Sequence, residues 1–201
     1  MSTFSPAPRP THSPWGTPDN AEQILPGIWS VDTPSHGGLI LTEERQAAMP
    51  PALAREGRAY EEDCDWALVV LAFEPEFARS AMGTKGWLQL AHDTVKCWQP
   101  DAYTAFTGKA VPPNESYILR RRAAYRERIG KICVTAAWGD WADWVPAGKV
   151  GVTGQRLLDV DHLGRPSYAG KTFRGLCDKH RYNAALVNTF DELDVELIID
   201  A

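Results

Sequence analysis

Apolar positions first cluster in two short runs, Gly27-Ile28-Trp29-Ser30-Val31 and Leu39-Ile40-Leu41, separated by the polar stretch Thr33-Pro34-Ser35-His36-Gly37-Gly38. The pattern predicts two strands joined by a turn, with Pro26-Gly27 as the turn that enters the first strand. Thr42-Glu43-Glu44-Arg45 reads as a capped helix start with acids in its first turn, ended by Met49-Pro50-Pro51. The apolar run from Trp66 to Phe73 stops at Glu74-Pro75. If that run is a helix, Glu61 to Asp65 lie at its N-terminus, where the helix dipole favours negative charge and Asp63 would be the cap. Pro75 can open a short helix to Met82, closed by Gly83. Thr84 then caps a longer helix to about Trp98, with Trp87, Ala91, Val95 and Trp98 at helical spacing, a stripe read as core. Pro100 starts a further short turn or helix that ends at Gly108.

Val111-Pro112-Pro113-Asn114 marks the best internal boundary. A helix is expected from about Glu115 to Ile129, with Ile118, Tyr125 and Ile129 on one face. Beyond it the chain turns β-rich: Ile132–Thr135, Lys149–Val152, Lys171–Arg174 and Val195–Ile199 read as strands, and the ending Ile198-Ile199-Asp200-Ala201 as a terminus tied into a sheet. The expected fold is α+β: an N-terminal hairpin, a helical middle and a β-rich C-terminal part folded onto the hairpin and packed as one domain. Within it, residues 1–14 form a flexible proline-rich arm, 15–110 an N-terminal lobe and 111–201 a C-terminal lobe.

Composition changes this picture little. The 201 residues are 44% hydrophobic and 23% charged, as in ordinary globular proteins. The net charge of −5 gives no global field toward nucleic acid or anionic membrane. Met1 to Pro14 lacks the apolar core of a secretory signal, and no apolar run is long enough to span a bilayer. The expectation is a soluble, intracellular protein. Cys64, Cys97, Cys133 and Cys177 are scattered, with no CxxC or Cys/His cluster, so reduced and mostly buried thiols are expected.

Two segments carry candidate chemistry. His36 sits in a turn stiffened by Pro34, and Gly37-Gly38 allows close approach of a ligand or a strand. Glu61, Glu62, Asp63 and Asp65 put four carboxylates within five residues, a density that calls for solvent, cations or a metal. His36 with Glu61, Glu62 or Asp63 would be the catalytic or metal-holding set of a small enzyme, as an acid–base pair or as ligands. The structural alternative is a hairpin histidine satisfied by its own loop and acids that cap a helix. Gly37, Gly38, Asp65, Arg120, Arg121 and Trp141 are candidate binding residues. Arg120, Arg121, Arg122, Arg126 and Arg128 could touch phosphates, or form a solvated face paired with the chain's own acids; direct nucleic-acid contact is the less favoured reading. Trp138, Trp141 and Trp144 at three-residue spacing suit a core more than a binding platform. His92-Asp93 and the Asp159-x-Asp161-His162 grouping are minor candidates, the latter equally a strand ending in a turn. No Walker A loop, GxSxG elbow or HExxH helix is present, which disfavours familiar NTPases, α/β-hydrolases and zincins. The sequence fixes neither a cofactor nor the identity of a metal.

The order of Pro14-Trp15-Gly16, Thr33-Pro34-Ser35-His36-Gly37-Gly38, Tyr60-Glu61-Glu62-Asp63-Cys64-Asp65-Trp66 and Asp101-Ala102-Tyr103-Thr104-Ala105-Phe106 resembles an uncharacterised domain family of proteobacteria, carried by phages, plasmids and integrative elements. The similarity spans roughly Trp15 to Gly108, and Gly139-Asp140-Trp141 with Trp144–Gly148 also looks familiar from such proteins. The resemblance implies context rather than a catalytic role: a mobile-element accessory protein, with counter-defence as the usual task. On that reading it binds and blocks a host protein or nucleoprotein complex, with no membrane partner, its acids engaging a basic groove. The small enzyme built on His36 and the acids is the alternative.

Overall fold

The computed structural model describes residues 4–183 and 185–198. It is α+β, with seven helices and eight strands among the described residues, and the strands form two antiparallel four-stranded sheets. The chain divides into two compact units, Met1–Ser116 and Tyr117–Ala201.

In the first unit, β1 (Asn20–Leu25), β2 (Ile28–Asp32), β3 (Gly37–Leu41) and β4 (Ala59–Glu61) make a sheet in chain order. The hairpin expected around His36 is β2–β3, with Asp32 opposite Gly37 and Val31 opposite Gly38. Its partners β1 and β4 were not expected. β1 has a single β-branched residue, Ile24, and no aromatic to signal a strand, and β4 has three residues, too few to show a period. α1 (Glu43–Ala47) starts as anticipated, with the Thr42 hydroxyl accepting the Arg45 N–H.

α2 (Trp66–Ala72) buries Ala67 to Leu71 without a break. Its cap position is Asp65 rather than Asp63, and the Asp65 side chain makes no capping bond. α3 is only Glu74–Phe77, shorter than the expected Pro75–Met82 helix. α4 (Lys85–Trp98) is capped by Thr84, as its sequence predicts. Ala91 and Val95 are fully buried, but Trp98 is 43% exposed, so the expected tryptophan stripe is core only in part. α5 (Pro100–Thr107) ends at Gly108, whose φ of +71° is the left-handed cap that glycine adopts without strain.

The proline-rich segment carries no helix or strand from Ser5 to His12. It makes specific contacts: the Gln23 side chain donates to the Ala7 carbonyl at 2.8 Å, and the Arg45 guanidinium lies 3.7 Å from the centre of the Phe4 ring. Met1 to Thr3, the start of the expected flexible arm, lie outside the described residues.

A 3-10 turn at Pro113–Glu115 and an extended Ser116 end the first unit, and α6 (Tyr117–Arg126) opens the second, so this helix starts later and ends earlier than expected. Ile118 and Tyr125 are buried, but Ile129 lies beyond the helix and is 48% exposed. β5 (Ile132–Trp138), β6 (Lys149–Val160), β7 (Pro166–Asp178) and β8 (Glu196–Leu197) form the second sheet in chain order. β6 and β7 are a long hairpin, far longer than the four-residue strands read from sequence, because bulges near Gln155–Asp159 carry the pairing past polar positions. Val150, Val152, Cys177, Phe190 and Leu193 form one buried cluster, and Tyr125, Cys133, Leu157, Val160 and Val187 another. α7 (Phe190–Leu193) opens with a reciprocal capping box between Thr189 and Glu192. β8 is shorter than the expected Val195–Ile199 strand, and Ile199, Asp200 and Ala201 lie outside the described residues.

Candidate functional site

The turn between β2 and β3 is built on itself. The Thr33 hydroxyl donates to the His36 carbonyl at 2.7 Å and accepts the His36 N–H at 3.2 Å, while the Thr33 N–H also reaches that carbonyl at 2.8 Å. These bonds fix the His36 backbone and leave its side chain exposed. The Glu62 N–H donates to the Gly37 carbonyl at 3.1 Å, which ties the end of β4 to the start of β3. The acidic segment therefore follows the strand next to the histidine turn.

The result is convergence. One ligand atom each from His36, Glu61 and Glu62 lies within 4.8 Å of the other two. Glu61 is half-buried, and its carboxylate accepts the Asp63 N–H at 2.9 Å, which restrains its direction. Asp32 stands close by. The point where a Cβ on Gly37 would lie is 2.6 Å from Oε2 of Glu62 and 3.1 Å from Oδ1 of Asp32. Among the described residues no lysine or arginine forms an ion pair with Asp32, Glu61, Glu62 or Asp63. An imidazole and two carboxylates form a donor set suited to a divalent cation, and ligand bonds of about 2.1 Å would require these groups to draw in around the ion.

A cavity of about 200 Å³ opens beside this cluster. Ile24, Leu39, Trp66, Met82 and Trp87 give it apolar walls, and Ser30, Asp32 and Glu62 give it a polar end. Glu62 therefore belongs both to the cluster and to the cavity. Asp32, Trp66 and Trp87 were missed as site residues by sequence reasoning. The available signal was register, since Asp32 immediately precedes the histidine turn and falls opposite Gly37.

The other sequence-derived candidates divide. Gly38, with φ +150°, lines the cavity and is also a packing position: a Cβ there would meet the Tyr60 carbonyl at 2.2 Å and the Trp15 ring at 2.7 Å. Asp63 is exposed and outside the cluster. Asp65 is held in a structural network, accepting from Arg55 Nη2 at 3.2 Å and from Gln99 Nε2 at 2.7 Å. Cys64 is no activated nucleophile: burial, reinforced by the charges of Asp65, Asp63 and Glu61, pushes its thiol above the ordinary value. All four cysteines are unbridged, with Cys133 and Cys177 buried and Cys64 and Cys97 half-buried. His92 bridges Tyr103 at 3.2 Å and Glu74 at 3.3 Å, a link between helices.

In the second unit the arginine helix is largely occupied by its own unit. Arg121 lies over the Tyr125 ring and against Gly164, Arg122 donates to the His162 carbonyl, and Arg128 pairs with Glu192 at 2.8 Å. Arg120 is exposed. The Asp161 carboxylate accepts the N–H groups of Arg165 and Leu163, and these bonds, that of Arg165 first, hold it below the usual carboxylate range. It is a turn residue. Of the three clustered tryptophans, Trp144 packs on Gly151 beneath the Arg174 guanidinium, Trp138 meets it edge-on at 5.6 Å, and Trp141 is 76% exposed. Trp138 and Trp144 are half-buried against each other and lie outside the two buried clusters, so the expected tryptophan core is met only in part, and not at all by Trp141.

No helix among the described residues is long and apolar enough to cross a membrane. Among known protein families, the model of the domain of unknown function DUF7007 matches residues 8–129. That span covers the His36 turn, the acidic segment and the cavity walls, and reaches further at both ends than the Trp15–Gly108 resemblance read from motifs. No curated protein and no solved structure matches the chain.

Proposed function

Because this chain belongs to DUF7007, a family whose function is unknown, its activity has to be read from its geometry, and we propose that the first unit is a divalent-cation centre of a small metal-dependent enzyme. The observation that carries this reading is the meeting of His36, Glu61 and Glu62 within 4.8 Å at the mouth of a cavity. His36 supplies the imidazole nitrogen, and Glu61 and Glu62 supply carboxylate oxygens. Three protein ligands leave positions for water and substrate, and a cation so held acts as a Lewis acid and lowers the pKa of bound water. Asp32, beside Glu62 and outside the ligand set, is placed to accept a proton or a substrate donor. The test is titration of chelator-treated full-length protein with Zn²⁺ and with Mn²⁺ by calorimetry. One ion per chain is expected, with affinity lost at least tenfold in His36→Ala and in Glu61→Gln. Absence of binding, or binding that both variants leave untouched, rejects the centre.

The absence, among the described residues, of ion pairs to Asp32, Glu61, Glu62 and Asp63 favours a second reading. On it the protein is a phage or plasmid accessory protein of the bacterial cytoplasm that blocks a basic host protein or nucleoprotein complex by charge complementarity, a counter-defence task. Its signature is a stoichiometric host complex that survives chelation and salt-sensitively weakens when Glu62 and Asp63 are replaced by glutamine and asparagine.

A further inference from the structure

We propose that the cavity beside the histidine turn binds a small organic cation, an apolar or aromatic body carrying an ammonium head. The proposal rests on the cavity and its carboxylates and stands whether or not His36 holds a metal. A cavity of about 200 Å³ exceeds the ~150 Å³ that admits benzene in an engineered protein core. Its walls include Trp66 and Trp87, whose rings lie 5.4 Å apart and tilted by 30°, and the flexible thioether of Met82. Tryptophan faces attract cations, and methionine adapts to irregular apolar shapes.

The polar end decides the sign of the ligand. Asp32 and Glu62 both line the cavity, and their oxygens flank the same point above Gly37. Asp32 receives one long hydrogen bond, from the Asn20 side chain at 3.4 Å, and neither acid has an ion pair among the described residues. Two such carboxylates repel an anion and gain little from a neutral ligand. An ammonium group would donate to both and to the Ser30 hydroxyl, making charge-assisted hydrogen bonds. The aromatic wall would then hold the apolar remainder. A neutral ligand of the same shape could use only the wall.

The experiment is calorimetric titration of chelator-treated full-length protein with phenethylammonium, and with phenethyl alcohol as its neutral counterpart. Saturable binding of the amine at one site, at least tenfold tighter than the alcohol, is expected. Asp32→Asn should weaken the amine about tenfold, and Zn²⁺ by much less than His36→Ala does, because Asp32 is outside the His36 set. His36→Ala should do the reverse. Equal affinity for amine and alcohol, binding of neither, or an amine affinity indifferent to Asp32→Asn overturns the proposal. Loss of Zn²⁺ binding with the amine result intact overturns only the metal centre.

Discussion

The carboxylate of Glu62 occupies the space that a side chain on Gly37 would need, with Oε2 2.6 Å from where its Cβ would stand. The Val31 carbonyl oxygen lies 2.8 Å from the same point. Glu62 can swing aside, but the backbone carbonyl cannot. Gly37→Ala should therefore destabilise the protein by about 1–3 kcal/mol, the usual cost of overpacking, and should also weaken metal and amine binding by displacing Glu62. Urea denaturation with parallel ligand titrations checks both parts. A variant of unchanged stability and affinity would show that the turn has slack.

Arg45 is fully buried, and its guanidinium meets Glu76 in a two-pronged ion pair at 2.7 and 2.9 Å while its Nε donates to the Pro26 carbonyl. Removing one member strands the other charge. Arg45→Ala should cost about 3–5 kcal/mol, whereas Arg45→Met with Glu76→Leu should recover most of that. The comparison of the two denaturation curves is the measurement. Equal losses in both would mean that packing between Phe4 and Phe73, not charge, holds Arg45 in place.

Acid should loosen the second unit through Glu192. Burial opposes its ionisation, but the bonds from Arg128 and Thr189 outweigh burial and leave the carboxyl below the ordinary 4.5. A carboxylate with a lowered folded pKa contributes stability that is complete above the unfolded value and lost as pH falls through the folded one. The loss should begin near pH 4.5 and grow below it. In Glu192→Gln this part of the pH dependence disappears, as thermal melts between pH 3 and 7 would reveal.

Alkylation of Cys64 should be slow at neutral pH and follow a midpoint above the ordinary 9.0, since burial and then the acids around it disfavour the thiolate. Asp65→Asn should lower that midpoint. Mass-spectrometric rates for the Cys64 peptide across pH 7 to 10 test this, and a midpoint below 9.0 would contradict it.

Trp141 contributes area to solvent rather than to a core. Trp141→Ala should change stability by no more than about 0.5 kcal/mol. Trp144→Ala should cost several times more, because its ring fills the space above Gly151 and beneath Arg174. Paired melts decide the contrast.

Much of the fold is legible from neighbours in the chain. Thr42 and Thr84 accept their helices' N–H groups, Gly108 takes the left-handed cap, and Thr33-Pro34-Ser35-His36 closes the hairpin through bonds spanning three residues. The sequence also placed an imidazole and a run of acids as the chemistry worth following. These features depend on contacts a few residues long, so the chain encodes them locally.

Tertiary structure alone decided which acids matter. Glu61 and Glu62 reach His36 because β4 pairs with β3, and Asp32 joins them because β2 sets it opposite Gly37. Asp65 is drawn away by Gln99, and Arg45 is neutralised by Glu76 across 31 positions. Trp66 and Trp87 become cavity walls only when α2 packs on α4. Residue type and spacing fix what a side chain can do. Which partner it meets across the sheet or between helices depends on strand register and helix packing, and no short stretch of sequence carries that information.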